Sequence, residues 1–280
     1  MFREMVSSEA VVRLSSKTLK MAEFDERERP LVQQIFGANP EVMAEASRII
    51  YEKFKPDAID INMGCPVYNL VSNFNGAALI KEPERAAAIV SAMKSAVPCP
   101  VSVKTRTGWK DDMECLEFVK VIADAGVDLI SMHGRTREQG YSSTSDWNRI
   151  AEARANVPDI PFLLNGDVTS PELAKQALEL SKADGVLIGR GALGRPWIFK
   201  QIEYYLETGR TIPDPTLDQR IAIIKKHGRL QVEHFGEKGL IKLRKHLPWY
   251  FKGFSGWKGI RSKLVRITTL QELNDILDAI

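Results

Sequence analysis

Along most of the chain, short runs of apolar and β-branched residues alternate with longer segments in which apolar positions recur every three to four residues. The short runs, at 2–6, 31–36, 58–63, 100–106, 128–133, 160–165 and 185–189, predict strands. The segments around 40–54, 83–97, 112–125, 146–156, 171–181 and 195–207 predict helices. Three of the starts, Asn39-Pro40-Glu41, Glu82-Pro83-Glu84 and Ser170-Pro171-Glu172, place proline in the first turn beside an acid. Proline forfeits no hydrogen bond there, and the carboxylate meets the positive end of the helix. Strand–helix alternation at this spacing implies a parallel sheet.

An open doubly wound sheet usually carries a glycine-rich fingerprint at its first βα turn. Here that turn reads Ser7-Ser8-Glu9-Ala10, without glycine. Polar and glycine-bearing residues sit instead at the C-terminal ends of several strands: Gly64-Cys65, Lys104-Thr105-Arg106, His133-Gly134-Arg135, Asn165-Gly166-Asp167 and Gly189-Arg190-Gly191. A TIM (β/α)8 barrel assembles its active site at that rim from many strand ends. The pattern opens on what reads as the second strand of such a barrel. The expected fold is therefore α/β, a TIM-type barrel with its first strand missing, over 1–210. Thr211-Ile212-Pro213-Asp214-Pro215 reads as a linker to a separate helical domain over 211–280.

Charge sharpens the division. The whole chain carries a formal +3, but residues 220–266 hold thirteen Lys/Arg against two Asp/Glu, a net +11, which leaves −8 for the remainder. A basic segment on an acidic body is a candidate polyanion-binding surface. A solvated helical face carries the same charge, and asymmetry alone does not separate the two readings. Cysteines at 65, 99 and 115 form no CxxC pair, which argues for a reducing compartment and against a disulfide framework. No apolar run approaches the roughly 20 residues of a membrane span, and the start lacks a signal-peptide pattern. A cytoplasmic protein without membrane contact, acting as a monomer, is expected.

The candidate chemistry lies at the strand ends. Gly189-Arg190-Gly191, with Asn165-Gly166-Asp167, offers backbone N–H groups to a phosphate near the last barrel strands, which points to a phosphorylated cofactor. Either motif alone is more simply a structural turn. Lys104 ends an apolar run, where a buried ammonium needs an anion or an electron-rich ligand. His133 ends another such run at the same rim. Cys65, in Asn62-Met63-Gly64-Cys65-Pro66, could donate a proton or attack carbon. Cys99 and Cys115 read as packing residues.

Together these residues resemble the tRNA-dihydrouridine synthase family, with spacing most similar to its bacterial B-type branch. The match runs from Glu4-Met5-Val6-Ser7 to the C-terminus. It includes Gln34-Ile35-Phe36-Gly37, Asp60-Ile61-Asn62-Met63-Gly64-Cys65-Pro66, Gly76-Ala77-Ala78-Leu79 and Val103-Lys104-Thr105-Arg106-Thr107-Gly108-Trp109. It continues through His133-Gly134-Arg135-Thr136-Arg137, Asn165-Gly166-Asp167, Ile188-Gly189-Arg190-Gly191-Ala192, Arg244-Lys245-His246-Leu247 and Tyr250-Phe251-Lys252-Gly253. The Met-Gly-Cys-Pro block together with His-Gly-Arg-Thr-Arg is specific to the family, whereas other flavin barrels share only the phosphate turn.

The resemblance implies an oxidoreductase that binds FMN, takes electrons from NADPH (or NADH) and reduces the C5=C6 bond of uridine in tRNA. By position, Gln34, Lys104 and His133 would touch the isoalloxazine. Asn165, Gly166, Asp167, Gly189 and Arg190 would hold the ribityl chain and phosphate. Cys65 would be the general acid, since an ordinary thiol is mostly protonated near neutral pH. Arg106, Arg135 and Arg137 would hold the flipped base or nearby phosphates, as base-modifying enzymes require. Arg244 and Lys245 would grip the tRNA body by charge.

The chain departs from the family in lacking the usual first βα unit, with its Ala-Pro-Met-like strand. It also has Val67-Tyr68-Asn69-Leu70 and Asn73-Phe74-Asn75-Gly76 where a basic residue and a glycine-rich turn are usual, and Ser143 in place of a glycine. Two other readings remain. One is a flavin barrel acting on a small molecule, of dihydroorotate dehydrogenase or ene-reductase type. The other is a homologue that binds RNA without flavin. The basic helical domain and Arg135-Thr136-Arg137 count against the first of these.

Overall fold

Seven strands, β1 (Val6–Ser7), β2 (Val32–Phe36), β3 (Ala58–Asn62), β4 (Val101–Arg106), β5 (Leu129–His133), β6 (Phe162–Asn165) and β7 (Gly185–Leu187), form one sheet in sequence order. Every neighbouring pair is parallel. The computed structural model describes residues 1–254 and 257–280, so Ser255 and Gly256, inside the basic stretch, lie outside the described residues. Between the strands run α1 (Ser8–Val12), α2 (Ser16–Ala22), α3 (Pro40–Phe54), α4 (Tyr68–Val71), α5 (Pro83–Ala96), α6 (Glu114–Asp124), α7 (Trp147–Ala155) and α8 (Pro171–Ser181). The architecture is that of a TIM-type α/β barrel sheet, followed by C-terminal helices. Among the described residues β1 and β7 are the end strands, with no pairing between them.

Register explains where the chemistry lies. Side chains alternate across a strand, so paired residues share a face. One row reads Ile61, Val103, Ile130, Phe162 across β3 to β6, and all four are fully buried. This apolar face is covered by helices: α3 packs on β2, α5 on β4 and α7 on β6. The opposite face carries three other rows. They are Gln34–Asp60–Ser102, then Asn62–Lys104–Ser131, then Arg106–His133–Asn165. The sheet thus separates a dry packing face from a polar one.

The expected helices appear within three residues of their predicted bounds. The first strand differs. Residues 2–6 pair regularly only from Val6, with Phe2 bridging Val32 in isolation. As an end strand it has a partner on one side alone, so the ladder is easily interrupted. The stretch read as a turn at Ser7-Ser8-Glu9-Ala10 opens helix α1, whose Val11 is fully buried.

By packing, the chain divides into two units, Met1–Val168 with Lys175–Leu187, and Thr169–Ala174 with Ile188–Ile280. The second contains α9 (Ile198–Thr208), α10 (Leu217–Phe235), α11 (Gly239–Leu243), α12 (Leu247–Tyr250), α13 (Trp257–Leu264) and α14 (Leu270–Asp278). Its core is built from Ile224, Leu240, Leu247, Phe251, Leu264 and Leu273, among others. Gly228 lets α14 approach α10, because a Cβ there would lie 2.4 Å from Leu273 Cδ2. The stretch read as a linker is anchored within this unit. Asp214 accepts from Trp197 Nε1 and Gln201 Nε2 of the α9 region and pairs with Arg220 of α10 at 3.0 Å. Burial works against its ionised form, but the Gln201 and Trp197 hydrogen bonds and the Arg195 and Arg220 charges prevail and hold it below the usual carboxylate range. No helix among the described residues is long and apolar enough to cross a membrane.

Candidate active site

Cys65 stands on a loop directly after β3 whose Met63, Gly64 and Cys65 carbonyls are each fastened. Thr105 Oγ1 donates to Met63 O, Arg106 Nε to Gly64 O at 2.6 Å, and Ala77 N to Cys65 O at 3.0 Å. The loop N–H groups are held as well, because Asn62 Oδ1 accepts from Gly64 N at 3.2 Å and Cys65 N at 2.9 Å. Gly76 closes the arrangement. Its φ is +61° and a Cβ there would sit 2.7 Å from Cys65 O, so only glycine allows the approach. Cys65 is partly exposed, whereas Cys99 and Cys115 are buried. Burial pushes the Cys115 thiol up to about 12 and Cys99 in the same direction, as suits packing residues.

Behind the loop, the polar rows are wired together. Ser102 Oγ donates to Asp60 Oδ1, Gln34 Nε2 donates to Asp60 Oδ2 at 2.6 Å, and Asn62 Nδ2 donates to Gln34 Oε1 at 2.9 Å. Asp60 is fully buried, and desolvation pushes its carboxyl up to about 6 despite the Gln34 and Ser102 hydrogen bonds and the Lys104 charge. A rise of that size corresponds to roughly 3 kcal/mol against ionisation. At neutral pH the carboxylate form still prevails.

Lys104, His133 and Asn165 converge. Asn165 Oδ1 lies 3.4 Å from Lys104 Nζ and 3.1 Å from His133 Nδ1, while Asn165 Nδ2 donates to Leu187 O. Burial lowers Lys104 from the ordinary lysine value, and Arg106 adds to this while Asp60 opposes it. His133 is pulled down to about 3, by burial first and then by Arg106, Lys104 and Arg135, so it is neutral. Two buried polar atoms on this face, His133 Nε2 and Ser131 Oγ, have no hydrogen-bond partner within the protein. Buried groups left so cost about 1–3 kcal/mol each, which a polar ligand against this face would relieve.

The expected basic residues divide by what they touch. Arg106 is buried and also donates to Thr136 O. Arg135 is buried too, donating to Ser143 O and pairing with Asp167 at 2.7 Å. Asp167 further accepts from Ser145 N. These two arginines brace the rim loops. Arg137 lies with its guanidinium 4.6 Å over the Trp109 ring, and Lys81 stacks on the same ring. Gly166 has φ +127° and would meet Ser145 Oγ at 2.2 Å if it carried a Cβ, so its packing against the loop before α7 already demands glycine.

Gly189 and Arg190 belong to the second unit. A Cβ on Gly189 would meet nothing within 4 Å, so the space above it is open. Nearby in the same unit, a cavity of about 430 Å³ is lined by Arg190, Arg195, Arg220 and Lys252, with Asp214 the one acid among its lining residues. Of the pair expected to meet nucleic acid, Arg244 donates to the carbonyls of Ile267 and Arg266, tying α11 to the segment before α14. Lys245 is exposed.

Residues 1–280 match the family model described as dihydrouridine synthase. The chain belongs to the dihydrouridine synthase family. It is 39% identical over 280 residues to the probable tRNA-dihydrouridine synthase 1 of Synechocystis sp., covering 99% of this chain and 78% of that protein. It is 37% identical over 279 residues to tRNA-dihydrouridine synthase B of Proteus vulgaris, covering 99% and 85%. Among solved structures, 2-naphthoyl-CoA reductase in complex with 2-naphthoyl-CoA is similar at a TM-score of 0.56, with 11% identity over 75% of this chain and 44% of that one. That likeness is one of fold.

Within this dihydrouridine synthase family member, sequence reasoning passed over Asp60, Ser102 and Asn62 as participants, and Tyr141. The Tyr141 ring stands edge-on to His133, with centroids 6.2 Å apart, and lies 6.0 Å from the Arg106 guanidinium, while 61% exposed. The available signal was an acid and two amides at alternate positions of β2 and β3, where a purely structural strand would carry apolar side chains.

Proposed function

We propose that this protein reduces uridine to dihydrouridine in tRNA, using FMN with NADPH (or NADH) as the electron source and Cys65 as the proton donor. The observation that carries the reading is the fastened thiol loop beside a polar strand face whose buried His133 Nε2 and Ser131 Oγ lack partners. Gln34, Lys104 and His133 would hold the flavin ring, and Asn165, Gly166, Asp167, Gly189 and Arg190 the ribityl phosphate. The fit is chemical: a neutral imidazole, an ammonium and an amide suit a ring rich in carbonyl and N–H groups, and open space over Gly189 suits close approach of a phosphate. Bound there, FMN supplies the two-electron reducing power for uracil C6, replenished by the nicotinamide cofactor.

The protein's own part is positional. Asn62, Arg106 and Thr105 fix the loop so that Cys65 Sγ can give its proton to C5 as the C5=C6 bond is reduced. Arg106 and Arg135, both buried, support the substrate loops, while Arg137 and exposed Lys245 would offer positive charge to the RNA. The base must leave its stack to reach the site, and exposed Tyr141 and Tyr68 are aromatic surfaces on which bases can stack.

The deciding experiment combines purified protein, FMN, NADPH and uridine-containing tRNA, with dihydrouridine measured in the product. Wild type is expected to convert tRNA, and Cys65→Ala to keep flavin binding and flavin reduction while losing tRNA conversion. Equal conversion by the variant, or reduction of free pyrimidines or enones without tRNA, would overturn the proposal.

A further inference from the structure

Three side chains between the barrel interior and the thiol loop form a chain in which every hydrogen bond has a direction. Asp60 is enclosed, and both of its oxygens accept, from Ser102 Oγ and from Gln34 Nε2. An ionised carboxylate can only accept, so it decides which end of the Gln34 amide faces it. Gln34 must then present Oε1 to Asn62, which answers with Nδ2 at 2.9 Å. With Nδ2 so engaged, the other end of the Asn62 amide, Oδ1, faces the backbone N–H groups of Gly64 and Cys65, which need an acceptor.

We propose that Asp60 is a positioning residue: through Gln34 it sets the orientation of the Asn62 amide and thereby holds the backbone of Cys65 in place. Each carboxamide passes polarity along, and the sequence acid–amide–amide–N–H is self-consistent only with a single carboxylate in it. Reversing the amides would set an NH2 group against the Cys65 N–H, donor against donor. Gln34, expected from the family resemblance to meet the cofactor, is then also the link between a buried acid and the thiol loop. The functional meaning of this chain rests on Cys65 being the proton donor, but its existence does not.

The test exploits directionality. Asn62→Asp places an acceptor-only group at each end of the Gln34 amide, which has a single NH2 to offer. Adding Asp60→Asn supplies a second NH2, lets Gln34 turn over and leaves the carboxylate introduced at position 62 accepting from the Cys65 N–H. The readout is amide exchange in protein labelled with 15N-cysteine at pH 8, without flavin or tRNA. It reports Cys65 directly, with Cys115, whose N–H bonds Thr107 O at the base of α6, as the control. Exchange at Cys65 is expected to rise about tenfold in Asn62→Asp with Cys115 unchanged, and to return close to wild type in the double variant. Asp60→Asn alone, whose amide can turn either end toward Gln34, is expected to fall between.

A double variant exchanging as fast as Asn62→Asp, or faster, overturns the proposal, because losses that merely add leave no room for rescue. If Asn62→Asp does not fold, recovery of a cooperative melt on adding Asp60→Asn supports the proposal, and failure to recover overturns it. Because neither cofactor nor substrate is present, the result is independent of the tRNA assay that decides the role of Cys65.

Discussion

His133 and Asn165 fix one another's chemistry. Asn165 gives its NH2 group to Leu187 O, so the end of the amide 3.1 Å from His133 Nδ1 is the oxygen. The proton of the neutral imidazole therefore sits on Nδ1, and Nε2 is a buried lone pair without a partner in the protein. A donor from a bound ligand is what this nitrogen can accept.

It follows that His133 should remain neutral and Nδ1-protonated throughout pH 5–8, observable by 15N NMR of the imidazole. The sign of the linkage is definite. The folded-state value of about 3 lies below the ordinary value near 6.5, so the unfolded chain binds more protons between them. Stability is fully present above about pH 6.5 and is lost as pH falls toward 3, by up to ~5 kcal/mol. Replacing His133 by Gln should flatten that acid limb in urea titrations. An unchanged limb would show that the histidine is not held neutral.

Gly76 and Gly189 should respond differently to a methyl group. Gly76→Ala forces a side chain into a left-handed backbone and onto Cys65 O, and should lower stability by about 1–3 kcal/mol together with tRNA conversion. Gly189→Ala meets no neighbour, so its melting temperature should stay within about a degree of wild type, as substitutions within ±0.5 kcal/mol leave it. Its FMN affinity should nevertheless fall, measured by fluorescence titration. Unaltered affinity would place the phosphate elsewhere.

Arg244 and Lys245 are adjacent but different in kind. Arg244→Ala removes donors from the carbonyls of Ile267 and Arg266 and should destabilise the helical unit by about 1–2 kcal/mol. Lys245→Ala touches an exposed side chain and should leave the melt unaltered. It should weaken tRNA binding and reduce the slope of log affinity against log salt by about one. Identical salt slopes would remove Lys245 from the interface.

The same acid–amide chain that orients Asn62 makes Gln34→Ala informative. That change should loosen Cys65, seen as faster alkylation by iodoacetamide, while buried Cys99 and Cys115 stay unreactive. No change in the rate would mean that Asn62 holds the loop unaided.

Helices with several turns and strands with partners on both sides were readable in advance because their signals are local. Pro40, Pro83 and Pro171 mark starts of α3, α5 and α8 as expected. Short elements were not readable: α1 has five residues, too few for a helical period, and β1 has a ladder on one side only. Arg106, Arg135 and Arg244 were legible as basic residues near the right places. Their engagement with backbone carbonyls was not, because a sequence shows a charge but not what it faces.

Taken alone, the amino-acid order determined the alternation of strands and helices, the placing of polar residues at strand ends, and the thiol at position 65 among glycines. The tertiary structure alone decided that Gln34, Asp60 and Asn62, drawn from positions up to 28 apart, would share one chain of hydrogen bonds. The reason is register. Which residue of one strand lies beside which of the next is set by the packing of apolar faces far apart in sequence, and a slip of one residue would have turned all three away from the thiol loop.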